Sequence, residues 1–250
     1  DRVDAARRVK PLAAIKDAPL YTRTPAAVMP AFTTAGWHVI AEVKFASPSE
    51  GDIRQPAEPV TVADGYLKAG ARMLSVLTEP RYFKGSLDYL SAIRESAPDA
   101  LLLRKDFICD AYQLHEARAH GADAVLLIVA MTEDSLTRDL LQQAEALGLT
   151  ALVEVHDADE MERAQKMNAR MIGVNNRNLK TLKTTLDTSR HLARRKTPDS
   201  LLICESGLST AAQLREMRGI GYDGFLMGTH FMKKPAPGDA LAELLGACAA

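Results

Sequence analysis

The chain's 250 residues are 47% hydrophobic and 25% charged, which suits a folded protein with a sizeable core and excludes a disordered, low-complexity chain. A formal net charge of −1 offers no electrostatic footprint for nucleic acid or an anionic membrane, and the apolar runs are too short and interrupted to span a bilayer. Cys109, Cys204 and Cys248 are scattered and odd in number, which predicts reduced thiols in a cytoplasmic protein rather than a disulfide framework. No secretory signal is visible, and the opening at Asp1 without Met is what a trimmed start would leave.

Residues 1–36 contain no strand-like run and predict one or two short helices. From Trp37 onward strand-like and helix-like segments alternate. Strands are expected near 37–43, 72–78, 101–104, 123–129, 150–155, 170–175, 200–204 and 222–227. Helices are expected near 57–69, 86–97, 110–120, 133–146, 157–167, 184–195, 209–219 and 237–247. Runs such as Ala124-Val125-Leu126-Leu127-Ile128-Val129 are apolar throughout, as parallel strands covered on both faces should be. Gly70, Gly121, Gly148 and Gly221 each fall between a helix and the next strand, where a left-handed C-cap is often required. Eight such units in this length predict an α/β fold, a single (β/α)8 TIM barrel over 37–250, with 1–36 as an N-terminal helical extension covering the barrel's ends. No linker argues for a second domain.

Several strands end in residues that handle protons or anions. Glu42 and Lys44 end the first, Lys105 follows the third, Glu154 ends the fifth, and Asn175 with Arg177 end the sixth. Charge is rarely placed against a core unless paired or used, and barrel active sites lie at the carboxyl ends of the strands. Side chains alternate along a strand, so Glu42 and Lys44 share a face, as do Asn175 and Arg177. Glu205-Ser206-Gly207 follows strand 7 and Met227-Gly228-Thr229 follows strand 8, and their small residues Ser206, Gly207, Gly228 and Thr229 lie where barrels often bind phosphate through backbone amides. Each residue also has a plainer reading. Glu154 could be the buried partner of a lysine that holds the barrel mouth together, and Arg104 beside Lys105 an ordinary surface pair.

Three other signals lead elsewhere. Gly219-Ile220-Gly221-Tyr222-Asp223-Gly224 matches a dinucleotide fingerprint by letter but follows a helix and precedes a strand, so it reads as a helix stop. His115 and His120 are five apart, unlike the i, i+4 pair of a zinc-protease helix, and read as helix-surface residues. No G-x-S-x-G elbow supports a serine hydrolase.

The ordered blocks resemble indole-3-glycerol phosphate synthase. They are Ile40-Ala41-Glu42-Val43-Lys44 with Ala46-Ser47-Pro48-Ser49, Ser75-Val76-Leu77-Thr78-Glu79, Tyr82-Phe83-Lys84-Gly85-Ser86, Leu103-Arg104-Lys105-Asp106-Phe107-Ile108, Leu152-Val153-Glu154-Val155-His156, Ile172-Gly173-Val174-Asn175-Asn176-Arg177, Glu205-Ser206-Gly207-Leu208-Ser209 and Phe225-Leu226-Met227-Gly228-Thr229. The resemblance implies an enzyme of tryptophan biosynthesis, a single barrel that closes an anthranilate-linked deoxyribulose 5-phosphate to an indole with loss of carbon dioxide and water. It implies Lys105 as general acid, Glu154 as acid/base for dehydration and rearomatisation, Lys44 as an anion-binding or leaving-group residue, and Glu42 as the group orienting Lys44 and Asn175. It implies that Arg177 and Asn175 hold the anthranilate end, and that Ser47, Ser206, Gly207, Gly228 and Thr229 meet substrate or its phosphate. No metal or redox cofactor is required, because the ring-closed iminium is itself the electron sink. The expected partner is the phosphosugar substrate, with neither nucleic acid nor membrane; other tryptophan-pathway enzymes are partners the family leaves open.

The departures from the family pattern are Phe45 where a basic residue is usual, Glu50 where lysine is common, Asn178 for an aspartate, and a shorter segment before the first strand. Phe45 is a candidate stacking platform for the anthranilate ring and Arg54 a candidate partner for Glu50. Another phosphosugar barrel, such as phosphoribosylanthranilate isomerase, or a non-catalytic phosphate-ligand binding protein, would share the phosphate loops. The isomerase would leave Lys105, Glu154 and Asn175-x-Arg177 unexplained, and a silent binder would tolerate Lys105→Ala.

Overall fold

In the computed structural model, which describes residues 2–250, eight parallel strands close into a barrel. They are β1 (Val39–Val43), β2 (Met73–Leu77), β3 (Leu102–Lys105), β4 (Ala124–Ile128), β5 (Thr150–Val155), β6 (Met171–Asn175), β7 (Leu201–Glu205) and β8 (Gly224–Met227). Each pairs with its neighbours in sequence, and β8 pairs with β1 to complete the ring.

Period-two alternation sorts the strand residues into two cores. Ile40, Leu103, Leu126, Leu152, Met171, Ile203 and Leu226 point inward and form the barrel's own filling. Ala41, Leu74, Val125, Val153, Ile172, Leu202 and Phe225 point outward and pack under the helices. The same inward parity continues past the apolar layer to Glu42, Lys105, Glu154, Asn175 and Glu205 at the carboxyl ends. Charge therefore appears where the filling stops.

The barrel helices begin with caps that the sequence supplies. Ser86, Asp110, Asp157 and Thr210 each accept a backbone N–H from the first turn of α4 (Leu87–Ser96), α5 (Ala111–Ala119), α7 (Ala158–Lys166) and α9 (Ala211–Gly219). The four expected C-cap glycines, Gly70, Gly121, Gly148 and Gly221, take φ of +93°, +83°, +74° and +111°. Helix α8 (Asp187–Leu192) starts three residues later than the sequence predicts. Its would-be first turn is held instead as a folded-back loop, with Arg177 bridging Thr184 and the Thr185 N–H donating to the Asn176 carbonyl.

The N-terminal segment forms α1 (Arg2–Val9) and α2 (Leu12–Lys16), followed by two 3-10 turns. Ile15 packs with Tyr112 and Ala119 of α5. Val28 and Phe32 are buried among the inward-facing barrel residues and close the amino-terminal end. At the other end, Arg2 reaches Asp106, 2.7 Å away, immediately after β3. The extension thus touches both ends of the barrel. Among the described residues no helix is long and apolar enough to cross a membrane.

Candidate active site

A cavity of about 460 Å3 opens at the carboxyl ends of the strands, and all eleven residues singled out from the sequence line it. Its floor is charged and its walls are largely apolar, with Phe83, Phe107, Leu126, Ile128, Leu179 and Leu226 among the lining residues.

Lys105 occupies the centre. Its ammonium lies 3.2 Å from Glu154 Oε2 and 3.3 Å from Glu205 Oε2, contributed by β5 and β7. Burial favours the neutral amine, but Glu154, Glu205 and Glu42 together outweigh it and carry the Lys105 pKa far above its ordinary value. Burial likewise opposes charge on Glu154, yet Lys105 and His156 hold its carboxyl far below the usual carboxylate range. Glu205 goes the other way. It is fully buried, has an Oε1 without a hydrogen-bond partner and is pushed up to about 8 by that burial, with Glu154 adding to the shift against the pull of Lys105. At neutral pH the centre holds one ammonium, one carboxylate and one neutral carboxylic acid.

Two glycines make room for these groups. A Cβ on Gly173 would collide with Glu205 Oε1, and one on Gly228 would sit 2.6 Å from Glu42 Oε1. Gly228 therefore has a second reason to be glycine beyond backbone approach to an anion. Ser206 and Gly207 both take positive φ, +67° and +83°, which turns the chain sharply after β7.

Glu42 and Lys44 form a pair at 2.5 Å, as their shared face predicts. Burial raises the Glu42 pKa, and Lys44 and Lys105 more than reverse that, leaving it below its ordinary value. One expected contact is different: the Asn175 Nδ2 donates to Glu154 Oε1 at 3.1 Å, so Glu154 rather than Glu42 orients it. Asn175 in turn accepts the Arg177 N–H at 3.0 Å, and the Arg177 guanidinium donates to Ser49 Oγ at 2.7 Å. That last bond ties the β6 loop to the hairpin (Ala46–Ser47 with Gly51–Asp52) that follows β1.

Three readings from the sequence are corrected here. Phe45 does not face the cavity: it is buried in the layer beneath the helices, edge-on to Tyr89, so it is not a stacking platform. Glu50 pairs with Lys233 at 2.6 Å, while Arg54 donates to the Lys234 and Pro235 carbonyls. Arg104 is 1% exposed rather than on the surface, because its outward-facing side chain runs under α5 to Asp106, Glu116 and the Gln113 carbonyl. His115 and His120 are also more engaged than helix-surface residues, bonded to the Tyr21 hydroxyl and to Ser91 Oγ. Asn178, by contrast, serves where an aspartate would: its Oδ1 accepts the Lys180 and Thr181 N–H groups, both at 2.9 Å.

The family model for indole-3-glycerol phosphate synthase matches residues 3–244. The chain belongs to the indole-3-glycerol phosphate synthase family. It is 46% identical over 246 residues to the indole-3-glycerol phosphate synthase of Albidiferax ferrireducens, covering 97% of this chain and 93% of that one. It is also 46% identical over 248 residues to that of Mycolicibacterium gilvum, covering 98% and 91%. A 3-hexulose-6-phosphate synthase from Salmonella typhimurium superposes with a TM-score of 0.69 at 14% identity, covering 85% of this chain and 98% of the other, which reflects the shared barrel alone.

The sequence places Glu205 after the seventh strand but gives it no role; it ends β7 as Glu154 ends β5, and the same parity argument brings it to the floor of the cavity. The apolar wall gives a weaker signal, since Leu179 and Phe107 lie on loops whose direction the pattern does not set.

Proposed function

We propose that the cavity performs the ring closure of its family, with Lys105 and Glu154 as its proton-handling pair. The observation that carries this reading is an ammonium and an ionised carboxylate 3.2 Å apart at the base of a cavity with apolar walls. The anthranilate ring lies against Phe107, Leu126 and Leu179, with its carboxylate toward Arg177 and Asn175. The phosphate sits by the backbone of Gly207, Gly228 and Thr229, with Lys44 adding charge and Ser47 and Ser206 adding hydroxyl donors.

In that pose the aromatic carbon attacks the ketone, and Lys105 gives its proton to the developing oxyanion. The iminium that results draws in the electron pair of the carbon–carboxylate bond, and carbon dioxide leaves. The new hydroxyl then takes a proton from the Lys44 ammonium and departs as water, while Glu154 removes a proton from the neighbouring methylene carbon and the indole becomes aromatic. The apolar walls exclude water, which strengthens each charge interaction.

Incubation with the anthranilate-linked deoxyribulose 5-phosphate should produce indole fluorescence. Lys105→Ala should lower kcat by roughly 100-fold or more, the usual scale for a positioned acid, with a smaller change in KM. Near-normal kcat in that variant would remove Lys105 from the chemistry. No fluorescence from the unaltered protein would overturn the reading as a whole.

A further inference from the structure

Beside Glu154 lies a group that the ring-closure reading does not use. His156 directly follows β5, two residues past Glu154, and is not among the residues lining the cavity. Its Nε2 lies 3.2 Å from Glu154 Oε1, within ion-pair reach but without hydrogen-bond alignment, and its Nδ1 is hydrogen-bonded to Glu160 Oε2 at 3.0 Å. Glu160 is itself locked. It accepts the His156 backbone N–H at 2.8 Å, and its own N–H donates to Asp157 Oδ1, the cap of α7, at 2.9 Å. An imidazole between two carboxylates, 12% exposed, has no acceptor role to fill on either nitrogen.

We propose that His156 is the positioning residue for Glu154, a fixed imidazolium that Glu160 anchors and that aims the carboxylate across the cavity floor at Lys105. The inference rests on the reading of Glu154 as the acid/base group. The charged and polar groups facing Glu154 are Lys105 from β3, Glu42 from β1, Asn175 from β6, Glu205 from β7 and His156. Asn175 and His156 share its Oε1, while Lys105 takes Oε2. Lys105 must swing toward the substrate oxygen to act as an acid, which leaves Oε2 free to accept a proton. His156 and Asn175 are then the contacts that keep the carboxylate in place and charged. Burial lowers the His156 pKa, but the two carboxylates beside it, Glu154 and Glu160, more than compensate and raise it to about 10. The imidazolium therefore persists across the working pH range.

A plainer arrangement uses the same contacts: Asp157 caps α7, Glu160 steadies the chain entering it by accepting the His156 N–H, and His156 is only a packed neighbour of that turn. The two make different predictions. Without His156 the carboxylate loses an adjacent cation, so its pKa rises. His156→Ala should lower kcat about ten- to a hundredfold, the cost of a misaligned reacting group, with KM within about twofold because His156 does not meet substrate. The Glu154 carboxyl, held far below the usual carboxylate range in the unaltered chain, should rise toward that range and bring an acid limb into view in kcat against pH. His156→Gln, which keeps a neutral donor, should recover part of kcat but still show the acid limb. A profile without that acid limb, or a kcat loss that only tracks a fall in melting temperature, would overturn the proposal.

A measurement on the unaltered chain removes dependence on folding of the variants. Imidazole 15N spectra should show both His156 nitrogens protonated at pH 8; a single protonated nitrogen at that pH would also overturn it. Glu154→Gln separates this inference from the one beneath it. Near-normal turnover in that variant defeats the acid/base role of Glu154 itself. An inactive Glu154→Gln beside a His156→Ala with ordinary kcat and pH profile defeats only the role of His156.

Discussion

Two glutamates lie within reach of the same ammonium and end in opposite charge states. Glu154 has Lys105, Asn175 and His156 around it and is ionised, whereas Glu205 has Lys105 alone and one oxygen against the Gly173 backbone. Burial is common to both, so the difference comes from the number of donors each collects. Glu205 has a consequence for stability. Its folded pKa of about 8 lies above the value of 4.5 of a free glutamate. Below pH 4.5 the folded and unfolded chains both hold the proton, and the group costs nothing. As pH rises toward 8 the unfolded chain releases the proton and the folded chain keeps it, so stability is lost across that window. Glu205→Gln replaces the acid with a neutral group of the same shape. Its melting temperature relative to the unaltered protein should therefore increase steadily from pH 5 to pH 8, measured by scanning calorimetry. A difference that stays constant with pH would show that Glu205 is ionised in the folded chain.

Between neighbouring elements, the barrel closure from β8 to β1 places Gly228 against Glu42. Gly228→Val should consequently act on two parameters together. It should weaken phosphate binding, read by calorimetry with inorganic phosphate, and also lower kcat about tenfold or more, because Glu42 and its Lys44 partner are displaced. A raised KM with unchanged kcat would mean that Glu42 moves aside at no cost to the chemistry. What the sequence shows at this scale follows from the strand period. Glu42, Lys44, Lys105, Glu154, Asn175 and Arg177 could be placed at one end of the barrel because period two fixes which side a residue faces. The same logic reaches Glu205 and His156, which share parity with residues that were chosen. Phe45 and Glu50 leave no such signal because they lie just beyond β1, where a short hairpin decides direction. The partner of Glu50 is 183 residues away and leaves no local signal. Arg104 fails for a different reason: its outward parity was legible, but the buried acidic groups awaiting it beneath α5 were not.

Over the whole molecule, charges nearly cancel, with 31 lysines and arginines against 32 aspartates and glutamates. The long-range field is therefore weak, and the sign of a few groups at the cavity mouth matters more to an incoming anion. Glu50 is one such group, adjacent to cavity-lining Ser49, and Arg177 and Lys44 are close enough to act on its carboxyl. Its bond to Lys233, then the field of that ammonium, hold its pKa below the ordinary value, so it is ionised at neutral pH. The pair with Lys233 is partly exposed, at 30% and 53% for the two side chains, so losing it removes little from the fold. Glu50→Lys changes the local charge from −1 to +1 and frees Lys233 to act with it. The second-order rate constant kcat/KM should rise about two- to tenfold at low ionic strength, provided capture of substrate limits it. Added salt should erase the gain, since the Debye length falls from about 30 Å at 0.01 M to about 8 Å at 0.15 M. If kcat/KM is the same in both proteins at every salt concentration, Glu50 does not influence how substrate arrives.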